Sequence, residues 1–204
     1  MNDIDDLFKK KADYYDEALK VFNNYRVAVY STNLELLRWF CDFAIFTLMC
    51  SYELWILQYD YQKAIKKFQQ NYYVRQTVLI CFELLSDIPQ HCNEHYNQLL
   101  INKIDNTGIN EKANELRKIF NKIRNENEAK FKPIRDMTIA HREHDISILV
   151  ETINNMDNGW IMEFALNYMN HIESLNELMN KVVNLLIKDS EKLSRNTFIE
   201  KYSI

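Results

Sequence analysis

The chain has 204 residues, of which 47% are hydrophobic and 13% aromatic, and its formal net charge is −4. It contains only two glycines and two prolines, whereas average chains carry about 7% Gly and 5% Pro. Because hairpins and tight turns depend on these residues, the composition excludes a β-rich fold and predicts an all-α one. No Gly-, Ser- or Pro-rich linker divides the chain, so we expect a single domain with a substantial core.

The first part of the chain is predicted to form two long helices. The first covers residues 4 to 28 and has an outer face rich in Lys, Asp and Glu. The second runs from residue 33 to about residue 69, with a break near residues 59 to 61 as the alternative. It is apolar nearly all round between Leu34 and Trp55, which is typical of a helix surrounded by others. We therefore expect it to be the central element.

The middle of the chain is predicted to form two helices separated at a proline. One covers about residues 72 to 86 and ends before Pro89, because the residue before a proline disfavours the helical conformation. The other covers about residues 89 to 104. The run Asp-Asn-Thr-Gly at 105–108 follows and is the clearest turn in the chain.

The second half of the chain begins with a basic helix over about residues 110 to 130. Pro133 suits the first turn of a short segment that reaches His141. Asp145 is placed to cap a helix that ends at Asn155. The run Asp-Asn-Gly at 157–159 predicts a second turn.

The last helix has the most regular pattern. Apolar residues alternate at spacings of four and three, which is typical of a bundle or coiled-coil seam. We expect an ordinary core stripe, with a dimer seam as the alternative, and a mobile tail over residues 190 to 204. The stripe consists of Ile161, Ala165, Tyr168, Ile172, Leu175, Met179, Val182 and Leu186.

Several features favour a cytoplasmic protein without a membrane partner. The four cysteines form no Cys-x-x-Cys pair, and the first six residues are acidic where a signal peptide would be basic. The longest apolar run, residues 43 to 52, is about half as long as a membrane span. We interpret it as part of a buried helix.

The sequence predicts no metal or cofactor site. It lacks the Glu-x-x-His pairs of helical di-iron proteins and any glycine-rich phosphate loop. His91 and His95 lie one helical turn apart, with Cys92 between them, but two ligands do not form a site and the segment reads as polar and exposed. His171, beside the seam of the last helix, is expected to be structural.

Charge singles out the segment from Arg117 to Arg142. It contains eight basic and three acidic residues, a net charge of +5, so the remainder of the chain carries −9. A positive patch on an acidic protein is what an anionic ligand would bind. The alternative is a solvated helix face that pairs with the protein's own acids.

A motif within this basic segment resembles that of the HEPN family. Arg135 is followed directly by the polar residue Asp136, and five positions, 136 to 140, separate Arg135 from His141. HEPN proteins are small all-α bundles in which an Arg is followed by a polar residue and, four to six residues on, by a His. The run from Ile134 to Arg142 is similar to the abortive-infection (AbiU-like) branch, as is the mid-chain helix before Pro89.

The resemblance covers about residues 30 to 185 and implies an up-and-down, HEPN-like helical bundle. It implies a metal-independent endoribonuclease that needs no cofactor and acts as a homodimer in phage defence or toxin–antitoxin systems, with RNA as substrate and an antitoxin protein as a further partner. His141 would be the general base for the 2′-hydroxyl proton. Arg135 would stabilise the phosphorane charge, and Asp136 would orient one of the two. The products would carry 2′,3′-cyclic phosphate and 5′-hydroxyl ends.

Further basic residues are candidate RNA-phosphate contacts, namely Lys132, Arg142, Arg124 and Lys130. A regular helix would place Arg135 and His141 about 120° apart. The site therefore requires a helix end before His141, a cleft between helices or a cleft between two copies. The Tyr that follows the His by two positions in nucleotidyltransferase-paired HEPN toxins is replaced here by Glu143, so its modification is not implied.

Two other functions are compatible with the sequence. One is a non-catalytic, dimeric interaction module whose basic patch docks an acidic partner, with Arg135 and Asp136 forming a simple ion pair. The other is a helical ligand-binding protein built on the aromatic core around Trp39, Phe43 and Trp55, which would require a pocket at that place.

Overall fold

Five long helices make up nearly all of the chain that the structure describes. The structure is a computed structural model and describes residues 3–30, 35–104, 108–139, 151 and 155–202. No strand occurs in these ranges, and the predicted all-α, single-domain bundle of long helices is confirmed. The helices are α1 (Asp3–Tyr30), α2 (Glu35–Lys63), α3 (Lys67–Ile101), α4 (Ile109–Ile139) and α5 (Asn158–Tyr202).

Successive helices run antiparallel. At one end of the bundle, the Tyr59 hydroxyl of α2 donates a 2.7 Å hydrogen bond to Asp5 at the start of α1. At the other end, Trp39 of α2 stacks on His95 of α3 with ring centroids 3.6 Å apart. The next two pairs, α3 with α4 and α4 with α5, are antiparallel as well, because the late residues of one helix contact the early residues of the next. The result is an up-and-down arrangement of the five helices.

The second helix is the central element, as predicted. It packs against α1, α3 and α5, and ten of its side chains are buried. By length and composition alone α2 would also pass as a membrane span, with a mean hydropathy of 1.5 over its most apolar window, half of which is buried in the bundle. Its buried residues are Leu37, Phe40, Cys41, Phe43, Ala44, Thr47, Leu48, Cys50, Ser51 and Leu54.

The break between α2 and α3 lies at residues 64–66, beyond the position considered near residues 59 to 61. Neither Gly nor Pro marks it. Two glutamines satisfy the backbone groups that the break exposes, because Gln69 accepts the Lys66 N–H at 3.3 Å and Gln70 donates to the Ala64 carbonyl at 3.1 Å. The side-chain amides therefore provide the hydrogen-bond partners that the backbone lacks where one helix ends and the next begins.

The predicted separation of the mid-chain segment at Pro89 is wrong, because α3 runs through this residue without interruption. A proline inside a helix removes one backbone hydrogen bond and crowds the preceding turn. The carbonyl that Pro89 leaves without a backbone donor is that of Leu85, four residues earlier. Pro89 is itself buried, and the hydroxyl of Tyr168 in α5 donates a 2.9 Å hydrogen bond to the neighbouring Leu84 carbonyl. Core packing and this cross-helix contact hold the helical course through the proline.

The end of α3 uses a lysine where a glycine is usual. Lys103 has a φ of 52°, its N–H bonds the Leu100 carbonyl at 3.2 Å, and the Ile104 N–H bonds the Leu99 carbonyl at 2.9 Å. This pattern is a Schellman motif, whose left-handed residue is normally Gly. The predicted turn glycine, Gly108, has a φ of 86° and directly precedes α4, while residues 105–107 lie outside the described residues.

The predicted end of the basic helix before Pro133 is also wrong, since α4 continues through this proline to Ile139. Pro133 lacks the N–H that would bond the Ala129 carbonyl. Phe131 on one side of it is fully buried against Trp160 and Phe164 of α5. The packing of this ring keeps the helical course.

The last helix begins within the predicted turn at 157–159. Asp157 caps it by accepting the Trp160 N–H at 3.0 Å, and Gly159 lies in the first turn. The predicted core stripe is confirmed, because every member from Ile161 to Val182 is buried and Leu186 is partly buried.

Two further predictions concern the segments on either side of this stripe. The predicted helix from Asp145 to Asn155 lies largely outside the described residues. The backbone of α5 is helical over 190–202, where a mobile tail was expected.

We expect Lys103→Gly to raise the free energy of unfolding by about 0.5–1 kcal/mol, because glycine adopts a positive φ without the Cβ clash. Urea denaturation would measure it. Lys118→Gly is the matched control, since Lys118 is exposed within α4 and glycine there should cost about 1 kcal/mol. Destabilisation by both substitutions would contradict the left-handed conformation of Lys103.

We expect Tyr168→Phe to lower the free energy of unfolding by about 1–3 kcal/mol, because the buried Leu84 carbonyl, next to the one that Pro89 leaves unpaired, loses its side-chain donor. Thermal or urea unfolding would measure the loss. Tyr14→Phe is the control, since Tyr14 is 54% exposed and the effect there should stay within about 0.5 kcal/mol. Equal effects would mean that the hydroxyl of Tyr168 contributes nothing at Pro89.

Candidate functional site

The candidate residues described by the structure lie on α4. Arg135 and Asp136 occupy its last turns, and His141 and Arg142 lie outside the described residues. The distance from Arg135 to His141, on which a shared site depends, is therefore not part of the described geometry.

The guanidinium of Arg135 is positioned by two contacts. It lies over the ring of Phe82 in α3, 4.7 Å from the ring centroid, and its Nη1 donates a 2.7 Å hydrogen bond to Asp136 Oδ1. The side chain is 38% exposed. Among the described residues this cation has one carboxylate partner, and that contact uses only one of the five N–H donors of a guanidinium.

The other candidate cations are distributed around α4. Lys132 is exposed and Arg124 is half-buried, whereas Lys130 lies 5.9 Å from the centroid of the Trp160 ring in α5. Because α4 is one continuous helix, Arg124, Lys132 and Arg135 fall within an arc of about 80°, and Lys130 lies on a different side. We call Arg124, Lys132 and Arg135 the basic arc.

Part of the positive charge counted in the sequence is used inside the protein. Arg117 bonds Asn114 of its own helix and Asn93 of α3, and its guanidinium lies 5.0 Å from the centroid of the Tyr96 ring. This residue therefore fastens α4 to α3. Lys122 is paired with Glu126 at 3.8 Å on the exposed surface. Fewer basic side chains are therefore available to bind an anion than the net charge of the segment suggests.

A groove between α4 and α5 was not found by sequence reasoning. Its volume is about 330 Å³, at the lower end of the range for small-ligand pockets. Three aromatic residues of α5, Trp160, Phe164 and Tyr168, follow one another at spacings of four. This spacing could have indicated the groove, but a buried core stripe has the same spacing. The groove is lined by Ile123, Asn127, Trp160, Glu163, Phe164, Asn167, Tyr168 and His171.

The histidine pair of α3 is not the polar, exposed segment that was expected. His95 is 3% exposed and stacks on Trp39, and its Nδ1 lies 2.7 Å from the His91 carbonyl. Burial lowers the pKa of His95 to about 4. A neutral imidazole in the core is consistent with a packing role for His95. Among the described residues no three His, Cys, Asp or Glu side chains converge to hold a metal.

The aromatic core does contain an open depression beside Trp39, of about 490 Å³. Its lining is largely polar and charged, including Glu35, Asp42 and Gln98. Phe43 is buried in the core, and Trp55 stacks near Phe8 with centroids 6.4 Å apart. The three aromatic residues of the ligand-binding hypothesis therefore do not line one cavity.

No protein-family model, curated protein or solved structure matches the chain.

We expect acidification from pH 7 to pH 5 to destabilise the protein partly through His95. Its pKa is lowered in the folded state, so the unfolded chain binds the proton more readily. The contribution of neutral His95 is complete above about pH 6.5 and is lost as the pH falls towards 4, by roughly 1 kcal/mol per pH unit at most. Urea unfolding of the wild type and of His95→Gln at both pH values would measure this.

The difference between the two pH values should shrink in His95→Gln and remain in the control His171→Gln, because His171 is only partly buried. An unchanged pH dependence in His95→Gln would contradict the buried, neutral state of this imidazole.

Proposed function

We propose that the protein is a metal-independent endoribonuclease of the HEPN type. The observation that carries the proposal is the placement of Arg135, the arginine of the HEPN-like motif. Its side chain is partly exposed and lies over Phe82, so that N–H groups of the guanidinium can bind an anion. The basic arc extends positive charge along the same side of α4. These features suit a site that binds the phosphodiester backbone of RNA.

The reaction follows from the roles that the resemblance implies. His141 removes the proton of a 2′-hydroxyl, and the 2′-oxygen attacks the adjacent phosphorus. The bond from phosphorus to the 5′-oxygen breaks, and that oxygen leaves as a 5′-hydroxyl with a proton supplied by the protonated His141 or by water. Arg135 stabilises the additional negative charge on the phosphorane. The other product is a 2′,3′-cyclic phosphate.

Asp136 is assigned a positioning role in this proposal. Its carboxylate accepts one N–H of Arg135 and Phe82 supports the face of the guanidinium. With its plane held in this way, the guanidinium can direct two other N–H groups at two oxygens of a phosphate. Lys132 and Arg124 of the basic arc, and Arg142 beyond it, would contact neighbouring phosphates.

The proposed biological setting is phage defence or a toxin–antitoxin system, with a cytoplasmic homodimer as the active form. A second copy would supply the cleft that a single helix does not provide for Arg135 and His141. An antitoxin protein would act by covering the basic arc. The support for this setting is the resemblance of the run from Ile134 to Arg142 to the abortive-infection branch.

The second candidate is a non-catalytic interaction module. The ion pair between Arg135 and Asp136 favours it, because the observed contact already gives the arginine a partner within its own helix. In this case the basic arc docks an acidic protein and no cleavage occurs.

We expect the wild type to cleave a mixed RNA pool in the presence of EDTA and His141→Ala to be at least about a hundredfold slower, because a general base contributes about 10²–10⁴-fold. Gel analysis with end-group mapping should show cyclic-phosphate ends. His144→Ala is the control from the same segment and should cleave at the wild-type rate. A folded wild type that cleaves nothing supports the interaction module instead.

We expect Arg135→Lys to be slower than the wild type by roughly tenfold or more, because lysine keeps the charge and loses the bidentate fork. Single-turnover cleavage rates would measure this. Arg117→Lys is the control: that side chain faces Asn93 and Tyr96 in α3, so its replacement should affect stability and leave the rate unchanged. Full activity of Arg135→Lys would remove Arg135 from the proposed site.

A further inference from the structure

The groove between α4 and α5 has an aromatic floor that its surroundings leave partly uncovered. Phe164 and Tyr168 are stacked, with centroids 5.6 Å apart and planes 19° apart, and Trp160 follows at 6.0 Å from Phe164. Trp160 and Phe164 are only partly buried. Partly buried rings that line a groove offer apolar surface against which another planar ring can pack.

Polar groups surround this floor. Asn167 and Glu163 are exposed and His171 is partly buried on the α5 side, and Asn127 lies opposite them on α4. Amides and an imidazole provide both donors and acceptors, which the edges of nucleobases require. The Asn127 amide already has partners within α4 for both its nitrogen and its oxygen, so Asn167 and His171 are the groups that would meet the edge of a base.

A cation lies at the border of the groove. The Nζ of Lys130 is 5.9 Å from the centroid of the Trp160 ring and 3.4 Å from Asn127 Oδ1, and the side chain is exposed. It lies outside the basic arc, on the side of α4 that faces α5. An ammonium beside an aromatic floor suits a ligand that combines a planar ring with a negative charge.

From these observations we infer that the α4–α5 groove binds an unpaired nucleobase, which stacks on Trp160 and Phe164 while Lys130 contacts its phosphate. The inference rests on the proposed function where the base belongs to single-stranded RNA. A free mononucleotide has the same chemistry. The volume of about 330 Å³ limits the groove to one base with its sugar and phosphate.

The test fills the groove without disturbing the core. Asn167→Trp places a large side chain at an exposed position in the lining, and Asn170→Trp makes the same change at an exposed position of α5 outside the lining. The probe is a fluorescein-labelled, 2′-O-methylated single-stranded 8-mer, which cannot be cleaved because it lacks the 2′-hydroxyl. Binding is measured by fluorescence anisotropy, with circular dichroism to confirm that both variants are folded.

We expect Asn167→Trp to weaken binding of the 8-mer by about tenfold or more, which is the effect of losing one stacked base, and Asn170→Trp to bind like the wild type. Adenosine monophosphate should compete, and a duplex of the same sequence should compete poorly. Binding of a fluorescently labelled adenosine monophosphate that Asn167→Trp weakens, without binding of the 8-mer, would identify a free nucleotide as the source of the base.

Equal binding by the two variants would overturn the inference, as would competition by duplex or inorganic phosphate that matches competition by the single strand or the mononucleotide. These results are independent of cleavage. A wild type that cleaves RNA while Asn167→Trp binds normally would refute the groove and leave the ribonuclease. A wild type that cleaves nothing while Asn167→Trp loses binding would refute the ribonuclease and leave the groove.

Discussion

The arrangement of the bundle depends on a buried polar contact between α2 and α5. The Thr47 hydroxyl donates a hydrogen bond to Asn176 Oδ1, and the Asn176 amide reaches Ser51 Oγ at 3.5 Å. All three residues are 5% exposed or less. Because buried polar groups without partners are costly, sliding α5 along α2 by one turn would be penalised, and the contact selects a single register. Tyr15 and Lys11 of α1, which both bond the carboxylate of Glu173, fix the first helix at the same level.

This register determines where α4 can lie, because α4 is packed between α3 and the aromatic residues of α5. Phe120 meets Tyr168 edge-to-face at 5.7 Å, and Phe131 packs on Trp160 at the opposite end. These two contacts set the spacing of α4 and α5 at the groove. On its other side α4 packs against α3, where Arg117 and Arg135 lie over aromatic rings.

The fold could be predicted from the sequence, because the scarcity of Gly and Pro and the spacing of the apolar residues in α5 are local signals of helix and of a buried face. The prolines were misleading. Their local preference ends a helix, yet Pro89 and Pro133 lie inside α3 and α4, since packing partners distant in sequence outweigh one missing hydrogen bond. The candidate site was predictable only in part: the pair Arg135 and Asp136 is adjacent in sequence, whereas its support by Phe82 and the groove depend on the spacing of helices, which no local pattern encodes.

The course of α4 through Pro133 has a mechanical consequence. The backbone bond that would couple Ala129 to residue 133 is missing, so the turns beyond this point are less stiffly joined to the rest of their own helix. The guanidinium of Arg135 is meanwhile seated on Phe82, which belongs to α3. The orientation of this charge therefore depends on the spacing between α3 and α4 as well as on the helix that bears it. A ligand that changed this spacing would remove the aromatic support of the Arg135 guanidinium.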